Sequence, residues 1–335
     1  MDLPVILHTL SYLHGEFFRI ISKKLIKYNN STISHRIPIS VLISTDSFQE
    51  YGKVLLSSRF KSILCRFTSK LGNLSALRWA RDNGCPWGES TCSVAARHGH
   101  MDLLRWLRSQ DCPWDSWTCT FAAGSGNLGV LQWARSEGCP WNFMACINAA
   151  AGSGHVEVLE WIQRTQEGCQ FGQSTCSEAA RYGQLSTLQW LRSQGCLWDA
   201  NTCTAAASHG HLAVLQWARS QECPWDERTS ALAAYNGDLA MLQWMRSQEC
   251  PWDVSAAYNA AVRGFLDVLQ WIRGQGCPWD STICSAAAYA GHLQVLMWTV
   301  AQSCPWNAQV CYDVAARKRH VHIVQWMQEH GYSPL

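Results

Sequence analysis

Cysteine is the residue type in this sequence with the widest chemical potential, because a thiolate can bind a metal, form a disulfide or act as a nucleophile. The chain has 17 cysteines. Structural zinc sites ordinarily use cysteines two to four residues apart, so a spacing of seven does not predict a metal site. We interpret these cysteines as small core side chains, with redox sensing as the open alternative. The pairs seven apart are Cys85 and Cys92, Cys112 and Cys119, Cys139 and Cys146, Cys169 and Cys176, Cys196 and Cys203, Cys277 and Cys284, and Cys304 and Cys311.

The cysteine count also bears on the compartment. An odd number of cysteines in a long chain does not resemble the disulfide framework of a small secreted protein. The first 30 residues lack a basic start followed by an uninterrupted apolar run, so no secretory signal is predicted. No apolar stretch reaches the roughly 18 residues that span a bilayer. We therefore predict reduced thiols and a cytoplasmic protein, with the nucleus as the alternative.

Histidines recur at the position that follows the repeat glycine, where Asn127, Gln184 or Phe265 stands elsewhere and where Arg319 replaces the glycine before His320. Because histidine is optional there, we predict hydrogen bonding in a turn and no catalytic or ligand role. No nucleophile–base set, phosphate-binding glycine loop or paired-carboxylate motif stands out from the pattern. The sequence therefore predicts no enzyme activity and no cofactor. The histidines are His100, His155, His211, His292 and His320.

Tryptophan supplies the period that must position all these residues. Ten tryptophans follow one another at intervals of 27 or 28 residues, with one interval of 29. A fixed period of this length indicates one supersecondary unit copied and stacked. We interpret the repeated tryptophans as core residues. They are Trp79, Trp106, Trp133, Trp161, Trp190, Trp217, Trp244, Trp271, Trp298 and Trp326.

Each repeat reads as two short helices joined by a tight turn. The segment C-P-W-D lies between helices because proline cannot continue one, and its Asp can cap the next helix. A pair of alanines then allows close packing, and a glycine such as Gly126 ends the first helix. After this glycine, residues 128–136 place Leu128, Val130, Leu131 and Trp133 on one apolar face of a second helix.

The segment A-A-x-x-G-H-x-x-V-L at the helix junction resembles the ankyrin repeat, over roughly Arg59 to Leu335. The resemblance implies an all-α, ankyrin-like helical solenoid of about ten stacked helix-turn-helix units. Ankyrin units have about 33 residues, whereas these mostly have 27, and T-P-L-H has become T-C-x-x. Such short units are typical of large DNA viruses and protists, which would place the protein in a host cytoplasm if it is viral. The fourth repeat is irregular around Thr165, Gln166 and Glu167.

Residues 1–57 do not carry the repeat, so we divide the chain into residues 1–57 and an array at 58–335. Leu3-Pro4 followed by Ser11-Tyr12-Leu13 resembles the start of an F-box. This resemblance implies that residues 1–30 would dock a ubiquitin-ligase adaptor. The alternative is a helical cap that shields the first repeat.

We expect a partner protein to bind where the repeats differ, since repeated positions are occupied by packing. In an ankyrin-like stack, the residues between the alanine pair and the glycine face the concave side, and here they are rich in Tyr and Arg. Trp117, with Phe143 and Met144 at the equivalent connection of the next repeat, suggests a further apolar patch. Our candidate partner-binding residues are Arg97, His98, Trp117, Phe143, Arg181, Tyr182, His209, Tyr235, Asn236, Arg263, Tyr289, Arg317 and Lys318.

Charge limits the class of partner. The formal net charge is +2, and charged residues make up only 16% of the chain. Such a balance gives no electrostatic basis for binding nucleic acid or an anionic membrane. We therefore expect a monomer that binds another protein.

Overall fold

The structure is a computed structural model, and it describes residues 58–166 and 169–332. Within these ranges the regular elements are α-helices arranged as ten helix-turn-helix pairs, which confirms the predicted all-α, ankyrin-like fold. The chain forms two compact units, one ending at Asn142 and the other beginning at Phe143. The F-box and cap predictions for residues 1–57, and Glu167 of the irregular connection, lie outside the described residues.

The unit that ends at Asn142, here called unit 1, contains three helix pairs. The first helix of a pair is odd-numbered in our labels and the second is even-numbered. The helices are α1 (Ser58–Leu71), α2 (Leu74–Asp82), α3 (Glu89–Arg97), α4 (Met101–Ser109), α5 (Ser116–Gly124) and α6 (Leu128–Ser136).

The unit that begins at Phe143, here called unit 2, contains seven helix pairs. Most of its helices have nine or ten residues. They are α7 (Phe143–Ser153), α8 (Val156–Thr165), α9 (Gln173–Arg181), α10 (Leu185–Ser193), α11 (Ala200–Ser208), α12 (Leu212–Ser220), α13 (Glu227–Asn236), α14 (Leu239–Ser247), α15 (Val254–Arg263), α16 (Leu266–Gly274), α17 (Ser281–Ala290), α18 (Leu293–Ala301), α19 (Ala308–Arg317) and α20 (Val321–Glu329).

The first helices begin where the sequence predicts, at the Asp of the C-P-W-D segment. The Asp115 carboxylate accepts a hydrogen bond from the backbone N–H of Trp117 at 3.1 Å. Asp199, Asp226, Asp253 and Asp280 make the same contact in unit 2. Such a side chain satisfies one of the N–H groups that a helix start leaves unpaired, and it stabilises the helix by about 1 kcal/mol.

Glycine ends the first helices in the left-handed conformation, as predicted. Gly264 has φ +79°, and a Cβ added there would lie 2.6 Å from the ring of His292 in the next pair. Gly264 therefore meets two requirements, a positive φ and room for the neighbouring ring. Gly210 has φ +77° but no neighbour within 4 Å of a Cβ position, so only the backbone conformation favours glycine there.

First helices of consecutive pairs pack directly against one another within each unit. Their alanine pairs, such as Ala95 and Ala96, are completely buried at this contact. Most second helices bury a leucine of their apolar face, including Leu104 and Leu215. Small residues between the first helices and branched apolar residues beneath the second helices thus build one core layer per pair.

The residue after the glycine contacts the preceding pair, which goes beyond the predicted turn. His292 Nε2 lies 3.0 Å from the Val262 carbonyl oxygen, and His320 Nε2 lies 3.0 Å from that of Tyr289. In unit 1, Asn127 donates to the Ala96 and Arg97 carbonyls at 3.1 Å each. These side chains satisfy helix-end carbonyls that the helix itself leaves unpaired.

The repeated tryptophans are half-buried, so our interpretation of them as core residues is wrong. Trp106, one of these tryptophans, has the Arg78 guanidinium 5.5 Å from its ring centroid and packs edge to face on Trp87 of a C-P-W segment, with centroids 5.8 Å apart. The Arg81 guanidinium lies 3.8 Å from the Trp87 centroid. Arg81 also donates to the Cys85 carbonyl at 2.7 Å. The second helices lie at the outer surface of each unit, where the stacked arginine covers the indole ring but does not bury it.

Candidate functional site

Four tyrosines are exposed on the first helices of unit 2. Their exposed fractions lie between 40% and 57%, in a layer where the neighbouring alanines are buried. Three of them lie at the end of a first helix, in alternate pairs along the unit. Tyr235 and Tyr289 occupy the first of the two predicted positions there, and Tyr182 occupies the second, directly after the last residue of α9. Tyr258 lies about one turn earlier, on α15. We call the three at the helix ends the tyrosine row; they are Tyr182, Tyr235 and Tyr289.

A cationic or imidazole side chain from the next pair adjoins each tyrosine of the row. The Arg263 guanidinium lies 4.8 Å from the Tyr235 ring centroid, and Lys318 Nζ lies 4.3 Å from that of Tyr289. The ring of His209 lies 6.4 Å from that of Tyr182. A hydrogen bond with Lys318, and its positive charge, lower the pKa of the Tyr289 phenol. The structure thus brings six of the candidate residues together in contacts between adjacent helix pairs.

Three further candidates in unit 2 have other contacts. Arg181 pairs with Glu178 on its own helix at 3.3 Å. The Asn236 amide donates to the Ala207 and Ser208 carbonyls at 3.1 and 2.7 Å, so this side chain helps to join two pairs. Arg317 is exposed at the end of α19.

The candidates of unit 1 form a smaller group. The Arg97 guanidinium lies 5.5 Å from the Phe121 ring centroid, and the exposed ring of Trp117 lies 5.4 Å from it. The rings of His98 and His100 are 6.1 Å apart. Phe121 therefore joins Arg97 to Trp117, a contact that the sequence did not predict.

Trp117, Phe143 and Met144 are in first helices, and our prediction that they lie in connections is wrong. Trp117 lies in the first turn of α5, while Phe143 begins α7 and Met144 follows it. Helices begin directly after the capping Asp115 because its carboxylate satisfies the first free N–H group. Trp117 is an exposed residue of unit 1, whereas Phe143 and Met144 are half-buried residues of unit 2.

The cysteines are free thiols, and all except Cys169 are buried. The stack brings together cysteines twenty positions apart, the second of one repeat and the first of the next. The Sγ atoms of Cys176 and Cys196 lie 2.8 Å apart. Cys65 Sγ lies 3.7 Å from the Cys85 carbonyl oxygen, and Cys203 Sγ lies 3.8 Å from that of Cys223. The cysteine pairs seven residues apart, on which the sequence-based interpretation rested, are not these neighbours.

Burial opposes nucleophilic chemistry at several of these cysteines, whereas a hydrogen bond with a neighbouring thiol lowers the pKa of Cys139, Cys196 and Cys284. Burial raises the pKa of the Cys65 and Cys250 thiols to about 12, and that of Cys277 to about 11. Thiols with such values carry a proton at neutral pH, and a protonated thiol is a weak nucleophile and a poor metal ligand. In residues 58–166 and 169–332, no three His, Cys, Asp or Glu side chains converge on a point that could hold a metal ion.

Comparison with known proteins gives a fold likeness only. No protein-family model matches the chain, and no curated protein matches it. Among solved structures, it is similar to the human ASB11 ankyrin repeat domain, with 15% sequence identity and a TM-score of 0.45. That match covers 56% of this chain and 99% of the ASB11 domain. Over the described ranges, no helix is both long and apolar enough to cross a bilayer.

Proposed function

We propose that this protein is a binding scaffold without catalytic activity, and that its partner is another protein held by the first-helix face of unit 2. The observation that carries the proposal is the tyrosine row, with a cationic or imidazole neighbour beside each ring. Packing in the helix pair does not require tyrosine at the position of Tyr235 and Tyr289, because other pairs have Arg, Ser or Val there. The Tyr182 ring lies against Gly152 of the preceding pair and is still 57% exposed.

The physical properties of the row suit protein recognition. Tyrosine offers a large contact area with few rotatable bonds, so little conformational entropy is lost when a partner covers it. Adjacent helix layers lie roughly 8–10 Å apart, so tyrosines in alternate pairs are spaced by about 20 Å. The row therefore suits an extended partner surface with several separate contacts. Tyr and Arg are also the residue types enriched among those that dominate binding energy.

Paired variants of the full-length protein test this proposal. One variant carries Tyr182→Ala, Tyr235→Ala and Tyr289→Ala. The matched control carries Gln189→Ala, Gln216→Ala and Gln243→Ala, which remove three exposed side chains from second helices of the same unit. Quantitative affinity purification should find a protein that wild type and control retain and that the tyrosine variant loses by at least tenfold. Identical retained proteins for the two variants would contradict the proposal.

The purified partner then gives the energetic test. Each Tyr→Ala substitution should weaken binding by about 1–2 kcal/mol, as truncation of a central interface residue does. Isothermal titration calorimetry measures these changes singly. Values below about 0.3 kcal/mol for all three tyrosines would show that the partner binds elsewhere.

A second candidate function is that of a substrate adaptor for a cullin–RING ubiquitin ligase. The motif Leu3-Pro4 followed by Ser11-Tyr12-Leu13 favours it. In that case the N-terminal residues would dock the small adaptor protein that F-boxes use, while unit 2 would hold the substrate. A direct binding assay with the small adaptor compares wild type with a Leu10→Asp, Leu13→Asp variant. Binding by wild type alone supports this role, and no binding by either removes it.

A further inference from the structure

One repeated position on the second helices distinguishes the first two pairs of unit 1 from most later pairs. The residue before the second-helix tryptophan is arginine in the first two pairs, at Arg78 and Arg105. In most later pairs the same residue is glutamine, as at Gln216. The two arginines therefore add positive charge to a face that already has Arg81, Arg108 and Arg135 in the last helical turns.

This charge coincides with a wider asymmetry. Residues 58–142 include ten lysines and arginines and six aspartates and glutamates, whereas residues 143–335 include eleven and fifteen. The small net charge of the whole chain thus conceals a basic unit 1 and an acidic unit 2. Our sequence-based expectation against nucleic acid and anionic membranes rested on the charge of the whole chain and did not compare the two units.

A groove on unit 1 is lined by two of these arginines, Arg105 and Arg108. Its volume is about 630 Å³, and its lining residues are Arg105, Arg108, Ser109, Trp114, Trp133 and Glu137. The groove lies between the second helices α4 and α6 and the C-P-W segment that joins their pairs. It is wide enough for several side chains of a bound segment and is lined by both aromatic and cationic groups.

The arginines of the groove are held in place by the tryptophans. Trp114 and Trp133 meet edge to face, with centroids 5.8 Å apart. The Arg108 guanidinium lies 4.3 Å from the Trp114 centroid, and the Arg105 guanidinium lies 5.9 Å from that of Trp133. Arg108 also donates from Nη1 to the Cys112 carbonyl. A guanidinium has five N–H donors, so this bond fixes its plane and leaves other donors for an anion.

The preceding pair repeats this arrangement. The Arg78 guanidinium lies 5.5 Å from the Trp106 ring centroid, and Trp106 packs edge to face on Trp87. Two successive pairs therefore present the same combination of an exposed arginine and an indole wall, at a separation of about 10 Å.

We propose that this outer face of unit 1 binds an extended acidic protein segment, with aspartate or glutamate side chains on Arg78 and Arg105 and an apolar side chain against Trp133. Guanidinium groups pair with carboxylates through parallel N–H···O bonds, and partial desolvation by an indole face strengthens that attraction. The acidic groups Asp82, Asp102 and Glu137 limit the positive field of this face. That limit favours a protein segment over nucleic acid, whose affinity depends on neutralising many phosphates.

This surface is separate from the tyrosine row. It lies on second helices in unit 1, whereas the row lies on first helices in unit 2. The inference therefore does not depend on the proposed function, and either can fail alone.

Fluorescence anisotropy with a labelled twelve-residue peptide tests the inference on the full-length protein. The peptide consists of aspartate and glutamate with two central leucines. The test variant is Arg78→Gln, Arg105→Gln, which installs the residue found in unit 2. The control, Arg164→Gln with Arg228→Gln, removes the same charge from exposed positions of unit 2. Circular dichroism verifies that each variant is folded.

We expect wild type to bind the peptide, and binding to weaken as salt rises from about 50 to 200 mM, because screening reduces the attraction between exposed charges. The test variant should bind at least tenfold more weakly, and the control should stay within twofold of wild type. A peptide with glycine in place of the leucines should bind several-fold more weakly, since it lacks the contact with the indole wall.

Three results would overturn the inference. The first is no binding of the peptide by wild type at low salt. The second is equal weakening by the test and control variants, which would show attraction by net charge alone. The third is tighter binding of a single-stranded oligonucleotide of equal charge, abolished by the same two arginine substitutions, which would make nucleic acid the partner.

Discussion

Unit 1 and unit 2 are built from the same type of helix pair. Their candidate binding side chains lie on different helices of that pair. Unit 1 has Arg78 and Arg105 beside tryptophans on its second helices, and unit 2 has the tyrosine row on its first helices. The buried positions do not differ in this way: a leucine in most second helices and an alanine pair in most first helices recur in both units. The difference shows that binding residues can change at fixed positions while packing residues are retained.

The comparison predicts that substitution of a packing residue has the same cost in either unit. Leu104 in unit 1 and Leu215 in unit 2 are equivalent and completely buried. Leu→Ala at either position should lower the free energy of local unfolding by about 2–5 kcal/mol, because transfer energy is lost and a cavity remains. Hydrogen exchange of the affected helix pair measures this free energy. A local measurement is needed because repeat arrays need not unfold in one step.

Leu197 provides the control, because it is 68% exposed in unit 2. Leu197→Ala should change local stability by less than about 0.5 kcal/mol. A loss at Leu104 that differs from the loss at Leu215 by more than about 2 kcal/mol would break the proposed equivalence of the two units.

Glycine at the helix junction allows a finer test within unit 2. Gly264→Ala should cost about 2–4 kcal/mol, because a left-handed alanine is strained and its methyl group would lie 2.6 Å from His292. Gly210→Ala should cost only about 1–2 kcal/mol, since no neighbour lies within 4 Å. Thermal unfolding of both variants checks the order. Equal costs would show that the glycine is needed for its conformation alone.

Alkaline pH should destabilise the protein through its buried thiols. Burial raises the pKa of Cys277 from 9.0 to about 11. The folded state therefore retains a proton that the unfolded state loses, so this contribution to stability is complete below pH 9 and declines as pH rises toward 11. Its slope is about 1.4 kcal/mol per pH unit.

Cys277→Ala isolates that contribution, because Ala257 already replaces the second cysteine with which Cys277 would otherwise pair. Urea unfolding at pH 8, 9 and 10 should show a shallower decline for the variant above pH 9 than for wild type. Identical slopes for variant and wild type would mean that this thiol titrates normally in the folded state.

The smallest predicted effect concerns the connections between pairs, which require a positive φ in both units. Asp111 in unit 1 and Glu222 in unit 2 adopt φ of 55° and 61°. At the equivalent position of another connection, Gly138 has φ 77°. Asp111→Gly and Glu222→Gly should each stabilise by up to about 1 kcal/mol, because glycine relieves the left-handed strain. Differential scanning calorimetry should show a higher melting temperature. A lower one would show that the acidic side chains contribute more than the strain costs.

The fold was predictable because its determinants are local in sequence. The 27-residue period can be read directly from the sequence, and the capping Asp115 and the helix-ending Gly126 act within a few residues of their own position. Helix caps and turns depend on backbone geometry that short segments specify by themselves. The candidate residues Tyr235, Arg263 and Tyr289 were also found in this way, since variation within a strict repeat is visible without coordinates.

The contacts between pairs were decided only by the tertiary structure. Cys176 meets Cys196, Arg81 stacks on Trp87, and Phe121 joins Arg97 to Trp117, all across the junction of two pairs. The same geometry leaves the tryptophans half-buried, exposes Tyr258 and forms the groove beside Trp114. Sequence determines which residues a helix carries and how it begins and ends. The angle and offset at which one pair packs on the next depend on the fit of both surfaces together, and that fit selects the neighbours.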